Sequence, residues 1–153
     1  MAKMTVKGTD ELALKLSKLG ANSEKIAKKV VRAGASPVAD EIRKNLEKNI
    51  KDTTYVGKGK GDKKKITSTG DLLDSMGVAP PSTDRSGNIN TKIGFEGYDR
   101  NGTPNALKAR AMESGTSTLK KRPFVRPAVN KTRKKAIDEM SKAFDDEMKI
   151  YSL

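Results

Sequence analysis

The sequence predicts an α+β fold in which a long, kinked N-terminal helix and a C-terminal helix pack on a small antiparallel β-sheet. Three observations carry that expectation. Apolar residues recur every four positions from Ile26 to Ile50, residues alternate on either side of a turn at Asp84–Asn88, and a helical apolar stripe runs from Val129 to Met148. The 153 residues fit one domain, 1–153, because a single hydrophobic core serves about 100–150 residues.

In chain order, Thr9–Leu19 reads as a short helix. Thr9 caps it, Asp10 and Glu11 favour the positive end of its dipole, and Leu12, Leu16 and Leu19 share a face. Gly20 closes it, and Ser23 with Glu24 opens a second helix reaching about Lys51. Its stripe is Ile26, Val30, Gly34, Val38, Ile42, Leu46 and Ile50, with a kink or break near Gly34–Ser36 caused by Pro37. That stripe suits an amphipathic core helix, and part of it could equally serve a neighbouring subunit. The Gly57–Lys65 run GKGKGDKKK cannot pack a core, so a flexible loop is expected at about 56–67. One or two helical turns follow at Asp71–Met76, after Gly70. A hairpin is expected across the turn Asp84–Asn88, from Gly77–Ala79 to Ile89–Phe95, and Asp99–Pro104 is a further loop. Ala106–Glu113 suits a helix by composition and a strand by the Ser-Gly-Thr turn after it. The final helix is expected from Pro127 to about Met148. Its start is basic (Lys131, Arg133, Lys134, Lys135) and its end acidic (Asp145, Asp146, Glu147), the reverse of what the helix dipole favours. These charges therefore point to contacts rather than to helix stability. No internal repeat is evident.

Composition narrows the chemistry. The chain contains no Cys and no His, which removes disulfides, thiolate nucleophiles, Cys/His zinc sites, imidazole bases and Ser-His-Asp triads. No acidic residues follow calcium-loop spacing. No apolar stretch approaches the ~18 residues of a membrane span, and the N-terminus lacks a signal-peptide core. A soluble protein made in the cytoplasm, with no membrane contact, is expected. Apolar residues make up only 34% of the chain and aromatic residues 4%, a thin core for the length. Either part of the chain is disordered alone or neighbouring subunits complete the burial.

Net charge is +13, unevenly distributed. Segments 1–52, 53–70 and 105–135 carry +5, +4 and +9, whereas 71–104 and 136–153 carry −2 and −3. Blocks at Lys58–Lys65 and Lys108–Lys135 suit a polyanion or an acidic protein surface equally. The Gly/Lys run fails as a phosphate-binding loop, since Asp62 stands where that pattern requires Gly before Lys63. Asp71 and Asp74 could be imagined as an acid/base pair, but carboxylates answering a helix dipole explain them more simply.

Taken together, three features resemble a family of tail proteins from long-tailed phages and prophages. They are the lead Val6-Lys7-Gly8 before a Leu-rich helix, the box Thr69-Gly70-Asp71-Leu72-Leu73-Asp74-Ser75-Met76, and Met112-Glu113-Ser114-Gly115-Thr116 followed by Arg122-Pro123-Phe124-Val125-Arg126-Pro127-Ala128. That family is named after the tenth gene product of a lambdoid coliphage and is described as tail-completion or head–tail joining. Thr69, Gly70, Leu72 and Ser75 match its Thr-Gly box. Glu113, Gly115, Thr116, Pro123, Phe124, Pro127 and Ala128 match its Glu-x-Gly-Thr turn and its Pro-Phe segment. Two departures are visible: Ala111-Met112 stands where aromatic residues often precede the turn, and the Gly/Lys loop is unusually basic.

The resemblance implies a non-enzymatic virion subunit, without cofactor, catalytic residues or metal site. It implies a ring, hexameric by analogy, at the head-proximal end of the tail, touching tail-tube, tail-terminator or head-connector proteins and weakly touching genomic DNA. Lys58, Lys60, Lys63, Lys64, Lys65, Arg122 and Arg126 are the candidate subunit contacts, steering encounter with acidic neighbours. The alternative is a basic nucleic-acid-binding protein, which would neutralise phosphates with the same cations but lacks stacking aromatics and any base-reading motif.

Overall fold

The computed structural model describes residues 9–51 and 70–151. Helix α1 (Thr9–Lys51) comes first, followed by the four-residue α2 (Asp71–Asp74). Strands β1 (Met76–Val78), β2 (Ser82–Thr83), β3 (Ile89–Asn90) and β4 (Ile93–Phe95) come next, then α3 (Asn105–Ser114), α4 (Val125–Met148) and a 3-10 turn at Lys149–Tyr151. The α+β expectation holds, and helices dominate.

The N-terminal half differs from expectation in one respect: it is a single helix of 43 residues. Gly20 does not close it, although an interior Gly costs about 1 kcal/mol relative to Ala. Ser23 is not a cap. Its hydroxyl donates back to the Gly20 carbonyl at 2.8 Å, and Asn22 donates to the Lys18 carbonyl at 2.9 Å, so both side chains bond within the helix. Pro37 also lies inside the helix and is buried. Its missing N–H costs one backbone bond, and the length of the face packed against α4 offsets that loss.

Helix α4 lies antiparallel along α1. Lys29 Nζ meets Glu147 Oε1 at 2.6 Å near one end, and Lys131 Nζ meets Glu41 Oε1 at 2.7 Å nearer the other. Between them the helices touch at Gly34, where an added Cβ would stand 2.5 Å from Met140 Cγ and 2.7 Å from its Sδ. Only a residue without Cβ permits that approach with Met140 where it is.

The expected hairpin is present as two short ladders. Strand β1 pairs antiparallel with β4 (Met76 with Phe95, Val78 with Ile93), and β2 pairs with β3 (Ser82 with Asn90, Thr83 with Ile89). Pro80-Pro81 interrupts the pairing, since proline has no N–H to donate. The gap is bridged by Ala79 N–H donating to the Lys92 carbonyl at 2.8 Å and the Thr91 hydroxyl donating to the Ala79 carbonyl at 2.6 Å. At the tip, Thr83 Oγ1 reaches Glu24 Oε1 of α1 at 3.0 Å.

Two loops share one design. Asp84 Oδ1 accepts from the N–H groups of Ser86 and Asn88, and Asp99 Oδ1 accepts from those of Asn101 and Thr103. Gly87 and Gly102 occupy the positive-φ position of each, at 81° and 75°. The sequences Asp-Arg-Ser-Gly-Asn and Asp-Arg-Asn-Gly-Thr are thus a short local repeat that sequence reading passed over. The ambiguous segment after the second loop is helix α3, with Lys108 reaching back to the Asp99 carboxylate.

The core forms where all these elements meet. Ala39, Ile42 and Leu46 of α1 pack with Leu72, Met76, Ala109, Phe124 and Ala128. Phe124 and Leu46 are fully buried, and the Phe124 ring meets Phe95 edge-on with centroids 5.8 Å apart.

Candidate functional site

The residues singled out from sequence divide into three groups by position. Lys58, Lys60, Lys63, Lys64, Lys65 and Thr69 lie outside the described residues, as does the expected flexible loop. Gly70, Leu72 and Ser75 lie at and around the short helix α2, with Leu72 in the core. Glu113 through Ala128 form a connected segment that enters the core at Phe124 and Ala128.

Gly70 has φ 84°, and its carbonyl accepts from the N–H groups of Leu73 and Asp74, starting α2. Leu72 is buried, and the Ser75 hydroxyl donates to the Leu72 carbonyl at 2.9 Å, closing the helix it ends. Asp71 pairs with Arg100 Nε at 3.3 Å. Asp71 and Asp74 therefore sit in the first turn of a short helix, as the dipole reading expects.

The second group explains its own spacing. Helix α4 begins at Val125, two residues before the expected Pro127, because its open end is capped from a distance. Glu113 Oε2 accepts from the N–H groups of Phe124 (2.7 Å) and Val125 (2.9 Å), and Oε1 accepts from that of Arg126 (3.0 Å). A helix leaves its first four N–H groups without intrahelical partners. Here three go to one carboxylate, and the fourth position is Pro127, which has none. The negative charge also complements the positive end of the α4 dipole. Burial pushes the Glu113 carboxyl up, but the donations from Val125, Phe124 and Arg126, with the Arg126 charge, outweigh it and hold the pKa below 4.5.

For Glu113 to reach across, the chain must turn sharply after α3. Gly115 supplies that turn at φ 76°, ψ 171°, with an added Cβ only 2.9 Å from the Lys121 backbone nitrogen. Thr116 closes the loop: its N–H donates to the Leu119 carbonyl at 2.9 Å, and its hydroxyl accepts from Leu119 N–H at 2.9 Å. Arg122 N–H then donates to the Met112 carbonyl at 2.7 Å. Pro123 is exposed, Phe124 fills the core, and Ala128 is fully buried where α4 meets it.

Two residues not anticipated from sequence hold the same segment. Asn45 Nδ2 donates to the Phe124 carbonyl at 3.2 Å, and Asn49 Nδ2 to the Arg122 carbonyl at 3.0 Å. They stand four apart on α1, flanking the buried Leu46. Their signal in the sequence was two amides at helical spacing beside a core stripe. The candidate contact Arg122 is half-buried with its backbone held at both polar groups, whereas Arg126 is exposed.

Cations also gather outside the motif. A groove of about 530 Å³ is lined by Lys25, Lys28, Lys29 and Arg32 of α1, with Glu24 and Pro81 at its edge. Lys28 is already bonded to Glu24 at 2.7 Å and Lys29 to Glu147 at 2.6 Å, so the groove is less cationic than its residue count. Among the described residues no group of three or more Asp/Glu side chains could hold a metal ion, and no helix is long and apolar enough to cross a membrane.

Comparison with known proteins adds one match. The profile of a family described as "Bacteriophage HK97-gp10, putative tail-component" matches residues 10–115, from α1 through the Glu113-x-Gly115 turn. The match stops short of the Pro123–Ala128 segment, which Glu113 joins to it physically. No curated protein and no solved structure matches the chain. With about two thirds of its length inside that profile, this chain belongs to the HK97 gp10-like family of phage tail components.

Proposed function

We propose that this tail component is a non-enzymatic structural subunit that completes the tail or joins it to the head. In this reading several copies, six by analogy, form a ring at the head-proximal end of a long-tailed phage tail. The ring finishes the tail tube or couples it to the head connector, and its neighbours are tail-tube, tail-terminator or connector proteins. The observation that carries the reading is the family match over residues 10–115. The architecture supports it, because motif residues such as Glu113, Gly115 and Phe124 are spent on capping, turning and core packing. The proposed contacts are Lys58, Lys60, Lys63, Lys64, Lys65 and Arg126, which would steer docking onto acidic neighbours, together with Arg122 just before the Pro123–Ala128 segment. A phage deleted for this gene tests the assignment: unjoined heads and tails are expected, and normal yields of joined, infectious particles would refute it.

The second reading, a nucleic-acid-binding protein, rests on the +13 net charge. Partial pairing of the α1 groove cations with Glu24 and Glu147 weighs against it. Duplex binding measured against salt separates the two, since tight binding by the isolated chain, weakening steeply with salt, would favour the second.

A further inference from the structure

Helix α1 contains Gly20, Gly34 and Pro37, the residue types that helices disfavour most, and packing accounts for only the last two. Gly34 lies where α4 comes closest, since an added Cβ would stand 2.5 Å from Met140 Cγ. Pro37 is buried, with Ala35 and Ala39 buried on either side of it. Gly20 has no such reason: it is exposed, and an added Cβ would meet nothing within 4 Å. Alanine there would favour the helix about fivefold. A glycine that no contact among the described residues requires points to its distinctive property, access to positive φ.

The packed body of α1 begins after Gly20. Among the described side chains of α1, Ile26 is the first that is buried, and Glu24 is tied to the hairpin by Thr83 Oγ1 at 3.0 Å. Before them Leu12, Leu14 and Leu16 are exposed at 40%, 56% and 59%. Thr9–Leu19 is also shorter than the roughly 12–15 residues that an isolated helix needs in water, so its helicity propagates from the body. The joint is made of poor helix formers. Asn22 and Ser23 turn their side chains back onto the Lys18 and Gly20 carbonyls at 2.9 and 2.8 Å, local bonding that loosens and bends helices. In the same order these residues can stop one helix and start another. With positive φ, Gly20 ends a helix at Leu19, and its N–H and that of Ala21 return to the Ser17 and Leu16 carbonyls. Ser23 then accepts from the N–H of Lys25 or Ile26 as a cap, and Glu24 lies at the positive end of the new dipole.

We infer that Gly20–Ser23 is a hinge in α1, about which Thr9–Leu19 moves as an arm relative to the packed body that begins at Glu24. The continuous helix is one state. In the other, the helix stops at Gly20 and restarts at Ser23. The arm carries Leu12, Leu14 and Leu16, so the hinge sets the direction in which that apolar surface is presented. The inference rests on burial and backbone preference within one chain and is independent of the ring reading.

The chain has no cysteine, so spin labels attach only where cysteines are introduced. In the full-length protein, Ala13→Cys/Arg32→Cys spans the hinge, and Lys25→Cys/Lys44→Cys spans Pro37 instead. Both pairs have the same sequence separation, which on a straight helix is about 28 Å. All four positions are exposed, so folding should be preserved, and circular dichroism checks this. Pulsed dipolar spectroscopy of the hinge pair should show a population near the straight-helix distance and a second, shorter one, whereas the control pair should show the first alone. Gly20→Ala should lower the ratio of short to long about fivefold or more, and Ser23→Ala should lower it severalfold by removing the cap. Gly20→Asn, which keeps access to positive φ, should retain the shorter population. A single straight-helix population from the hinge pair would overturn the inference. So would a shorter population that Gly20→Ala leaves unchanged, since the bend would then lie elsewhere. Fraying of the arm would give a broad population indifferent to Ser23→Ala, and would overturn it as well.

Discussion

Replacing Glu113 should destabilise the fold more than any other single carboxylate among the described residues. One side chain serves three N–H groups, and they are not equivalent. Phe124 is fully buried, so its N–H cannot turn to water, and stranding it costs about 1–3 kcal/mol. Val125 is half-buried and Arg126 exposed, so water can partly replace the carboxylate there, at about 0.5–1 kcal/mol each, as for an ordinary cap. Glu113→Ala should therefore lose about 2–5 kcal/mol. Glu113→Gln keeps one acceptor oxygen and should lose about half as much. Urea unfolding followed by circular dichroism measures this as a lower midpoint at unchanged slope. Thermal unfolding should show a fall of roughly 4–20 °C for the Ala variant, at about 2–4 °C per kcal/mol for a chain of this size.

The same carboxylate gives a pH signature. Its folded pKa lies below the ordinary 4.5, so the stability it contributes is complete above that value and is lost as pH falls through the folded pKa. The gap between wild type and Glu113→Gln should be full at pH 7 and should shrink in acid below 4.5. A loss under about 0.5 kcal/mol at pH 7 would refute the capping account, since that is less than a single ordinary cap. So would a gap that does not change with pH.

Further outcomes follow from the same geometry. Gly34→Val should cost about 1–3 kcal/mol by overpacking against Met140, and Met140→Ala should recover part of it, with a coupling above about 0.5 kcal/mol in a double-mutant cycle. Gly115→Ala should lose about 1–3 kcal/mol from backbone conformation alone, with more from the close approach to Lys121, read by chemical denaturation. Phe124→Ala should lose about 3–5 kcal/mol and shift the near-ultraviolet signal, whereas Phe124→Leu should lose far less. Asn45→Ala with Asn49→Ala should lose about 1–3 kcal/mol in total and raise hydrogen exchange around Arg122–Phe124.

What sequence reading could reach depended on whether a signal was periodic or spatial. The stripes from Ile26 to Ile50 and from Val129 to Met148 are periodic, and both helices stand where those stripes lie. The hairpin was visible through alternation and through its Asp84–Asn88 turn. Gly20 and Pro37 misled because helix-breaking propensities act locally, while the decision to continue α1 is made by packing along its whole length. The start of α4 was misplaced for a related reason. Its cap sits eleven residues away from Phe124 in sequence, where no local rule looks.

The candidate site shows the same division. Glu113, Gly115 and Phe124 could be recognised as a pattern, but the reason for the pattern is a three-dimensional relation. A carboxylate must cross a glycine turn to reach the open end of the next helix. Asn45 and Asn49 were invisible as partners because their acceptors are backbone carbonyls, which every residue has. The exposed Leu12–Leu16 and Ile137–Phe144 faces were read as parts of amphipathic helices. Their exposure among the described residues is a matter of three-dimensional packing that periodicity does not reveal.

The most direct measurement of the central claim is a reconstruction of the intact particle with this subunit located by a bulky C-terminal tag. The account predicts a closed ring of tagged density at the head-proximal end of the tail, between tail tube and connector. Tagged density at the distal tip, along the tail shaft, or absent from purified particles would contradict it.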